Sequence, residues 1–292
     1  MNETTETGKL YIVATPIGNS RDMSPRGTQI LTDVDIIAAE DTRRSMVLLG
    51  KLEIRNKLVS NHKFNEYGKA KYFVGEMLAG KSVAVITDAG TPCISDPGNE
   101  LIRAAIESGI PVIGVPGCCA AVTALSVSGF DLSSFLFYGF FPRENADRRR
   151  LLEEMRRADT KTFSFYESPK RIMDLLDFFI DEEVGCRLCL CNDLTKVHER
   201  AYRGSAAEVK EELLARGNWD KGEYALSVEL CEDYRFRKAE HTVTAEAMLV
   251  DAMLQGDLNA KDAVAAVLGD PNNSYSKNEL KAAALHLKKL FA

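Results

Sequence analysis

What this sequence lacks sets its first limits. No apolar run approaches the roughly 20 residues needed to cross a bilayer. The opening MNETTETGKL is polar and acidic, unlike a hydrophobic leader. Both absences lead to the expectation of a soluble cytoplasmic protein with no membrane partner. There is no G-x-G-x-x-G, which argues against a dinucleotide dehydrogenase. There are no clear internal repeats and no low-complexity segment. Basic charge is not in excess either: 37 Lys and Arg against 43 Asp and Glu leave a net charge of −6. Any attraction for nucleic acid must come from how that charge is distributed. A second pair of metal ligands is also missing. Cys186, Cys189 and Cys191, with His198 downstream, have partial zinc-like spacing, but the RLCLC segment reads as a strand with Cys189 and Cys191 on one face. These are read as buried thiols, and no metal is expected.

One motif present is a decoy. Gly75 to Ser82 matches the phosphate-loop pattern GxxxxGK[ST]. That mechanism requires a strand before the loop and a helix after it. Here a helix runs through Gly75–Leu78, Gly80 reads as its carboxyl-terminal cap, and Lys81-Ser82 lead into a strand. Nucleotide hydrolysis is set aside on that order.

At 292 residues, 45% apolar and 27% charged, the chain is long enough for two or three globular domains. The first half alternates strands (10–14, 35–39, 58–60, 83–86, 112–115) with helical stretches (26–32, 66–78, 97–108, and a small-residue helix from 116 to about 128). This βαβ pattern predicts parallel strands with helices on both faces. After a break near 132–134, strands 135–139, 162–166, 187–191, 199–203 and 223–230 alternate with helices 143–158, 169–181 and 206–215, which reads as a mixed sheet. Beyond 234–238 only helices are predicted: 244–254, 261–268 and 277–289. The expected fold class is therefore α/β, with domains 8–132 and 133–238 and a small helical domain 239–292.

The organising stretch is Thr87–Gly98, TDAGTPCISDPG. It joins an apolar strand to a helix, with Ser95 or Asp96 as candidate cap and Pro97 in the first turn. Gly90 lets the backbone bend and approach a ligand where a Cβ would clash, and Asp88 sets a carboxylate beside it. The same residues also describe a well-capped turn with no ligand. Charge is segregated. From Arg43 to Lys71, Arg43, Arg44, Lys51, Arg55, Lys57, Lys63, Lys69 and Lys71 face only Glu53 and Glu66, a local charge of +6. His62 and Phe64 are interleaved, and Arg148–Arg150 with Arg156 and Arg157 form a second patch. Such runs are either solvated helix faces or an RNA surface.

Taken together, the loops resemble the tetrapyrrole-methylase superfamily of S-adenosylmethionine enzymes. Within it, they more closely resemble the branch that methylates the ribose 2′-hydroxyl of a cytidine in the decoding region of 16S rRNA. The matching stretches are 10–19, 35–43, 62–66, 87–98, 115–130, 165–171, 194–196 and 221–229, in the family's order. The resemblance implies two α/β domains with the cofactor in the cleft between them, and a homodimer. It also implies 16S rRNA as partner, in an assembled or nearly assembled small subunit. By match to the family's loops, cofactor contacts are assigned to Pro16, Gly18, Asp88, Ala89, Gly90, Thr91, Pro92, Ile94, Cys119 and Ala120. A ribose hydroxyl is a poor nucleophile, so a base or electrostatic partner is wanted; the candidates are Glu40, Asp41, Glu66 and Lys196. Lys196 serves as a base only if its pKa is strongly lowered, and otherwise suits phosphate. Arg43, His62, Lys170 and Arg171 are assigned to the RNA backbone. Two rivals stay open: a methyltransferase for a corrin, porphyrin or other small molecule, and a non-catalytic RNA-binding ribosome-assembly factor.

Overall fold

The structure is a computed structural model. It describes residues 6–62, 66–235, 244–270, 273 and 275–290. The chain divides into a larger unit, Met1–Phe236, and a smaller one, Arg237–Ala292. The expected boundary at 238/239 lies outside the described residues, as do Lys63 and Phe64.

In the larger unit the first half runs β1 (Leu10–Val13), α1 (Pro25–Asp33), β2 (Ile36–Ala39), α2 (Thr42–Lys51), β3 (Leu58–Ser60), α3 (Glu66–Leu78), β4 (Val83–Ile86), α4 (Asn99–Glu107), β5 (Val112–Val115) and α5 (Ala120–Ser126). Its five strands form an all-parallel sheet in the order β3-β2-β4-β1-β5. Both faces are buried, as parallel sheets require. Along β4, Val83 and Val85 pack with Phe73, Met77, Leu101 and Ala105 of α3 and α4. The alternate residues Ala84 and Ile86 pack on the other face with Leu31 of α1 and Leu49 of α2.

The second half runs β6 (Leu136–Phe140), α6 (Asn145–Arg157), β7 (Thr162–Glu167), α7 (Ile172–Asp181), β8 (Cys186–Asn192), β9 (Arg200–Gly204), α8 (Ala206–Arg216), β10 (Tyr224–Leu230) and the short α9 (Glu232–Arg235). Its sheet, β6-β7-β10-β8-β9, is mixed: β6 pairs with β7 in parallel and the other pairs are antiparallel. Phe163 and Phe165 point from β7 into a core with Leu152 and Met155 of α6 and Leu175 and Phe179 of α7. Cys189 and Cys191 lie on the opposite face of this sheet. Their sulfurs are 3.9 Å apart, in a small-residue seam with Ile17, Ala124, Leu194 and Ala225 that joins the two halves.

The smaller unit has α10 (Ala245–Gly256), α11 (Ala260–Leu268) and α12 (Lys277–Leu290). Leu249, Val264, Val267 and Leu280 give it a core of its own. Thr244 and Asn259 cap the first two helices by accepting from backbone amides.

Three features differ from the sequence reading. The sequence pattern gives helix α2 no bounds, although Glu40 and Asp41 also suit a helix start: Met46, Val47, Leu48 and Leu49 make a continuous apolar run that hides its period, and within the helix only Ser45 and Leu49 are buried. Helix α4 begins at Asn99 rather than Pro97, because Gly98 has φ +134°, outside the helical region. Neither Ser95 nor Asp96 caps it. Instead Glu66, from the start of α3, accepts from the amides of Gly98 (2.7 Å) and Glu100 (2.9 Å) through one carboxylate oxygen. Finally, the helix expected from Pro169 starts as a 3-10 turn, Pro169–Arg171. The GKS stretch does lie in the order helix, turn, strand, with Gly80 at φ +90° between α3 and β4.

Glu66 therefore carries a structural load. Glu66→Ala should cost about 2 kcal/mol, since two charge-assisted hydrogen bonds to a helix start are lost, and this is readable by denaturant unfolding. Glu66→Gln keeps an acceptor and should recover most of that stability. If Glu66→Gln were fully stable yet inactive, a chemical role for Glu66 would have to be restored.

Candidate active site

The strand order creates the site. From β1 the chain crosses to β2 on one side, and from β4 it crosses to β5 on the other. The loops after β1 and β4 leave neighbouring strands in opposite directions and open a crevice at their carboxyl ends, where open α/β sheets bind ligands. The two loops are latched together. Thr15 and Gly90 exchange both backbone hydrogen bonds, at 2.9 and 3.0 Å. The hydroxyl of the fully buried Thr15 donates to the Thr87 carbonyl at 3.1 Å. Gly90 has φ +87°. A Cβ there would meet Ile17 at 3.5 Å, an ordinary contact, so the backbone conformation, not lack of space, is what calls for glycine.

A cavity of about 460 Å³ opens here. The first half lines it with Ile17, Glu40, Arg44, the run Asp88–Thr91, Ile94–Asp96, Cys119 and Ala120. The second contributes Phe140, Tyr166–Pro169, Leu194 and Glu223–Ala225. Tyr166 reaches across the seam, and its hydroxyl accepts from the amide of Ala121 at 3.3 Å, in the first turn of α5. Burial, followed by the nearby Cys119, pushes its phenol up to about 12.

The chemistry is concentrated in three carboxylates. Glu40 accepts from the Thr87 hydroxyl at 2.6 Å. Asp88 accepts from the amide of Asp41 (3.3 Å) and pairs with Arg44 (2.8 Å). Its pKa is raised, first by burial and then by Glu40, against the pull of Arg44. Asp96 is pushed up to about 6 by burial and then by the charge of Glu40. Glu167 and Glu223 also line the cavity, but each is paired, with Arg171 and Lys196. Glu40, Asp88 and Asp96 have only the exposed Arg44 among the lining residues, which leaves this part of the cavity short of positive charge.

The structure separates the residues singled out from sequence. Asp88, Ala89, Gly90, Thr91, Ile94, Cys119, Ala120 and Glu40 line the cavity. Pro16, Gly18 and Pro92 do not; Ile17 lines it between the first two. Gly18 instead lets its loop press on the second half, where a Cβ would fall 2.7 Å from both Thr195 and Lys196. Asp41 caps α2, accepting from the Arg43 amide at 2.8 Å, and pairs with the Arg43 side chain at 3.0 Å. That pairing holds its carboxyl at about 2. Glu66 caps α4, as described above. Lys196 is bound to Asp193 and Glu223, both at 2.8 Å. Burial works against its charge, but these two hydrogen bonds outweigh it and the pKa is raised. Lys196 is thus held as an ammonium, the opposite of what a base requires.

Arg171 is spent internally, on Glu167 (2.7 Å) and the Phe141 carbonyl (2.8 Å). Lys170 is exposed beside the cavity-lining Pro169, and His62 is half-buried, its carbonyl accepting from the Glu66 amide. Sequence reasoning missed Arg44, Asp96, Phe140, Tyr166 and Glu223 as cavity residues. Asp96 was read as a cap although it lies in the organising stretch itself. Tyr166 and Glu223 fall in the family-like stretches 165–171 and 221–229, but nothing in the sequence shows which face of β7 turns to the first half.

This geometry defines the class. Residues 9–210 match the Tetrapyrrole (Corrin/Porphyrin) Methylases, and the chain belongs to that family. It is similar to proteins named Ribosomal RNA small subunit methyltransferase I. The one from Halalkalibacterium halodurans is 44% identical over 224 residues, covering 77% of this chain and 76% of that protein. The one from Escherichia coli O157:H7 is 37% identical over 279 residues, covering 95% of each. Among solved structures, a uroporphyrin-III C-methyltransferase from Thermus thermophilus, described as complexed with S-adenyl homocysteine, shares the fold. Its TM-score is 0.51 at 15% identity, covering 76% of this chain and 97% of that one.

Asp96 gives a test of the site's electrostatics. Its folded pKa of about 6 lies above the ordinary 3.8, so in that window the folded state holds more protons than the unfolded state. Its contribution to stability therefore falls as pH rises from about 4 to about 6 and is flat above that. Asp96→Asn should gain stability relative to the parent across that window and keep the gain at higher pH. Chemical denaturation at a series of pH values measures it. A pH-independent difference between the two proteins would remove Asp96 from the acidic cluster.

Proposed function

We propose that this chain is an S-adenosylmethionine-dependent methyltransferase of ribosomal RNA. We assign its acceptor as the ribose 2′-hydroxyl of a cytidine in the decoding region of 16S rRNA. The enzyme works in the cytoplasm as a homodimer, on an assembled or nearly assembled small subunit. The cavity at the latched loops carries this reading. Its size falls among small-ligand sites, and the carboxylates of Glu40, Asp88 and Asp96 suit a ligand with a sulfonium and an ammonium group. Its walls of Ile17, Ile94, Ala120, Leu194 and Ala225 suit a flat ring. When bound, S-adenosylmethionine supplies an electrophilic methyl group.

The chain's own task is to hold acceptor and donor in line and to keep water out; such positioning accounts for much of the rate of a displacement. The loop Asp88–Thr91 with Ile94, Cys119 and Ala120 would hold the cofactor, with Pro16, Gly18 and Pro92 fixing the loops that form the pocket. Of the four residues first considered for the acceptor proton, Glu40 is the one that lines the cavity, and we assign it that role. Asp41, Glu66 and Lys196 position loops, a helix start and the second-half rim. We assign the exposed Lys170 to RNA phosphates, and Arg43 as well, although Asp41 offsets part of its charge; His62 and Arg171 would support the same surface from partly buried positions. Support for RNA over a tetrapyrrole acceptor comes from the relatives at 37–44% identity, which are named for ribosomal RNA.

Gly90→Ala forces an L-residue to φ +87°, a strain of roughly 1–2 kcal/mol, so calorimetry should show S-adenosylmethionine bound about tenfold more weakly while the fold persists. Unchanged affinity in a folded Gly90→Ala protein would move the cofactor away from this loop. For the acceptor, 2′-O-methyl mapping of small-subunit RNA should show one cytidine methylated only when the active gene is present.

A further inference from the structure

The cations of the basic segment fall into two groups. Near the cavity they are neutralised: Arg43 by Asp41, Arg44 by Asp88. At the outer edge of the first sheet they are not. Lys51, at the end of α2, Arg55 in the following turn, Lys57 before β3 and Lys69 on α3 have no carboxylate partner among the described residues. Of the two acids in the segment, Glu66 is buried under α4, and Glu53 alone is left against them. An aromatic ring stands among these cations. Tyr72 is exposed, with Lys69 Nζ 5.5 Å from its ring centroid and Lys57 Nζ 3.3 Å from its hydroxyl. Unpaired like charges held together cost free energy unless a polyanion covers them, and an exposed ring among cations is the arrangement on which single-stranded bases stack.

We propose that this edge, centred on Tyr72 with Lys57 and Lys69 and flanked by Lys51 and Arg55, docks a single-stranded RNA segment adjoining the target nucleotide. The inference rests on the RNA reading above and extends it. Because β3 enters the sheet at the end opposite the cavity, the docked segment runs along the sheet edge, away from the reacting ribose. The surface therefore acts on affinity and not on chemistry.

The test is fluorescence anisotropy with a short labelled single-stranded RNA, across a salt titration. Tyr72→Ala should weaken binding about tenfold, within the range base–aromatic stacking supplies. The double variant Lys57→Ala/Lys69→Ala should lower the slope of log affinity against log salt by about 1.4, two single-strand phosphate contacts. Tyr67 is also exposed and has Lys71 Nζ 6.0 Å from its ring centroid, but it lies about 140° away around α3, apart from Lys57; it is the control, and Tyr67→Ala should bind within twofold of the parent. S-adenosylmethionine affinity, read by calorimetry, should be unchanged in all three. Parent-like binding by the Tyr72 and lysine variants, or an equal loss in Tyr67→Ala, would overturn this surface while leaving the RNA reading intact. Competition by polyglutamate as effective as by unlabelled RNA would overturn the stacking role. A parent protein that binds no RNA would overturn both readings together.

Discussion

The two-bond bridge between Thr15 and Gly90 is the constraint on which the site depends. It ties the loops after β1 and β4 at the point where the sheet's connections diverge. Without it, Asp88 and Ile94 on one loop and Ile17 on the other would have no fixed relation. The bridge needs a residue at φ +87°, which only glycine adopts without strain. A single backbone conformation thus holds two loops as one wall of a cavity, and the second sheet closes against that wall through small side chains at Ala124, Cys189, Cys191 and Ala225.

The charges follow a similar economy. Most carboxylates around the site are matched: Asp41 with Arg43, the cavity-lining Glu167 with Arg171, and Asp193 and the cavity-lining Glu223 with Lys196. Glu40, Asp88 and Asp96 have only Arg44, paired with Asp88, among the lining residues, and burial first, then the charge of Glu40, raises the pKa values of Asp88 and Asp96. A pocket with excess negative charge beside a basic outer edge suits two partners of opposite sign, a cationic small molecule inside and a polyanion outside.

The sequence was most legible where the chemistry is local. Strands 58–60, 83–86 and 112–115 and helix 66–78 were read at their observed bounds, because apolar period and turn residues there point the same way. Asp88–Thr91 was identified because strand, glycine turn and helix are contiguous. Legibility failed where a role depends on a distant partner. Glu66 looked like chemistry and is a cap for a helix more than thirty residues on. Lys196 looked like a free cation and is held by two acids, one of them, Glu223, on a different stretch of chain. Arg171 looked like an RNA contact and is fastened to Glu167 and a carbonyl.

By itself, the sequence determined the α/β class, the parallel character of the first sheet, the glycine turn after β4 and the segregation of basic charge, since each follows from residue type and spacing along the chain. Only the tertiary structure decided which acids share the cavity, that Tyr166 crosses from the second half to α5, and which cations are left unpaired. Those outcomes depend on strand order and on the facing of side chains across the seam, and neither is encoded in any local run of residues.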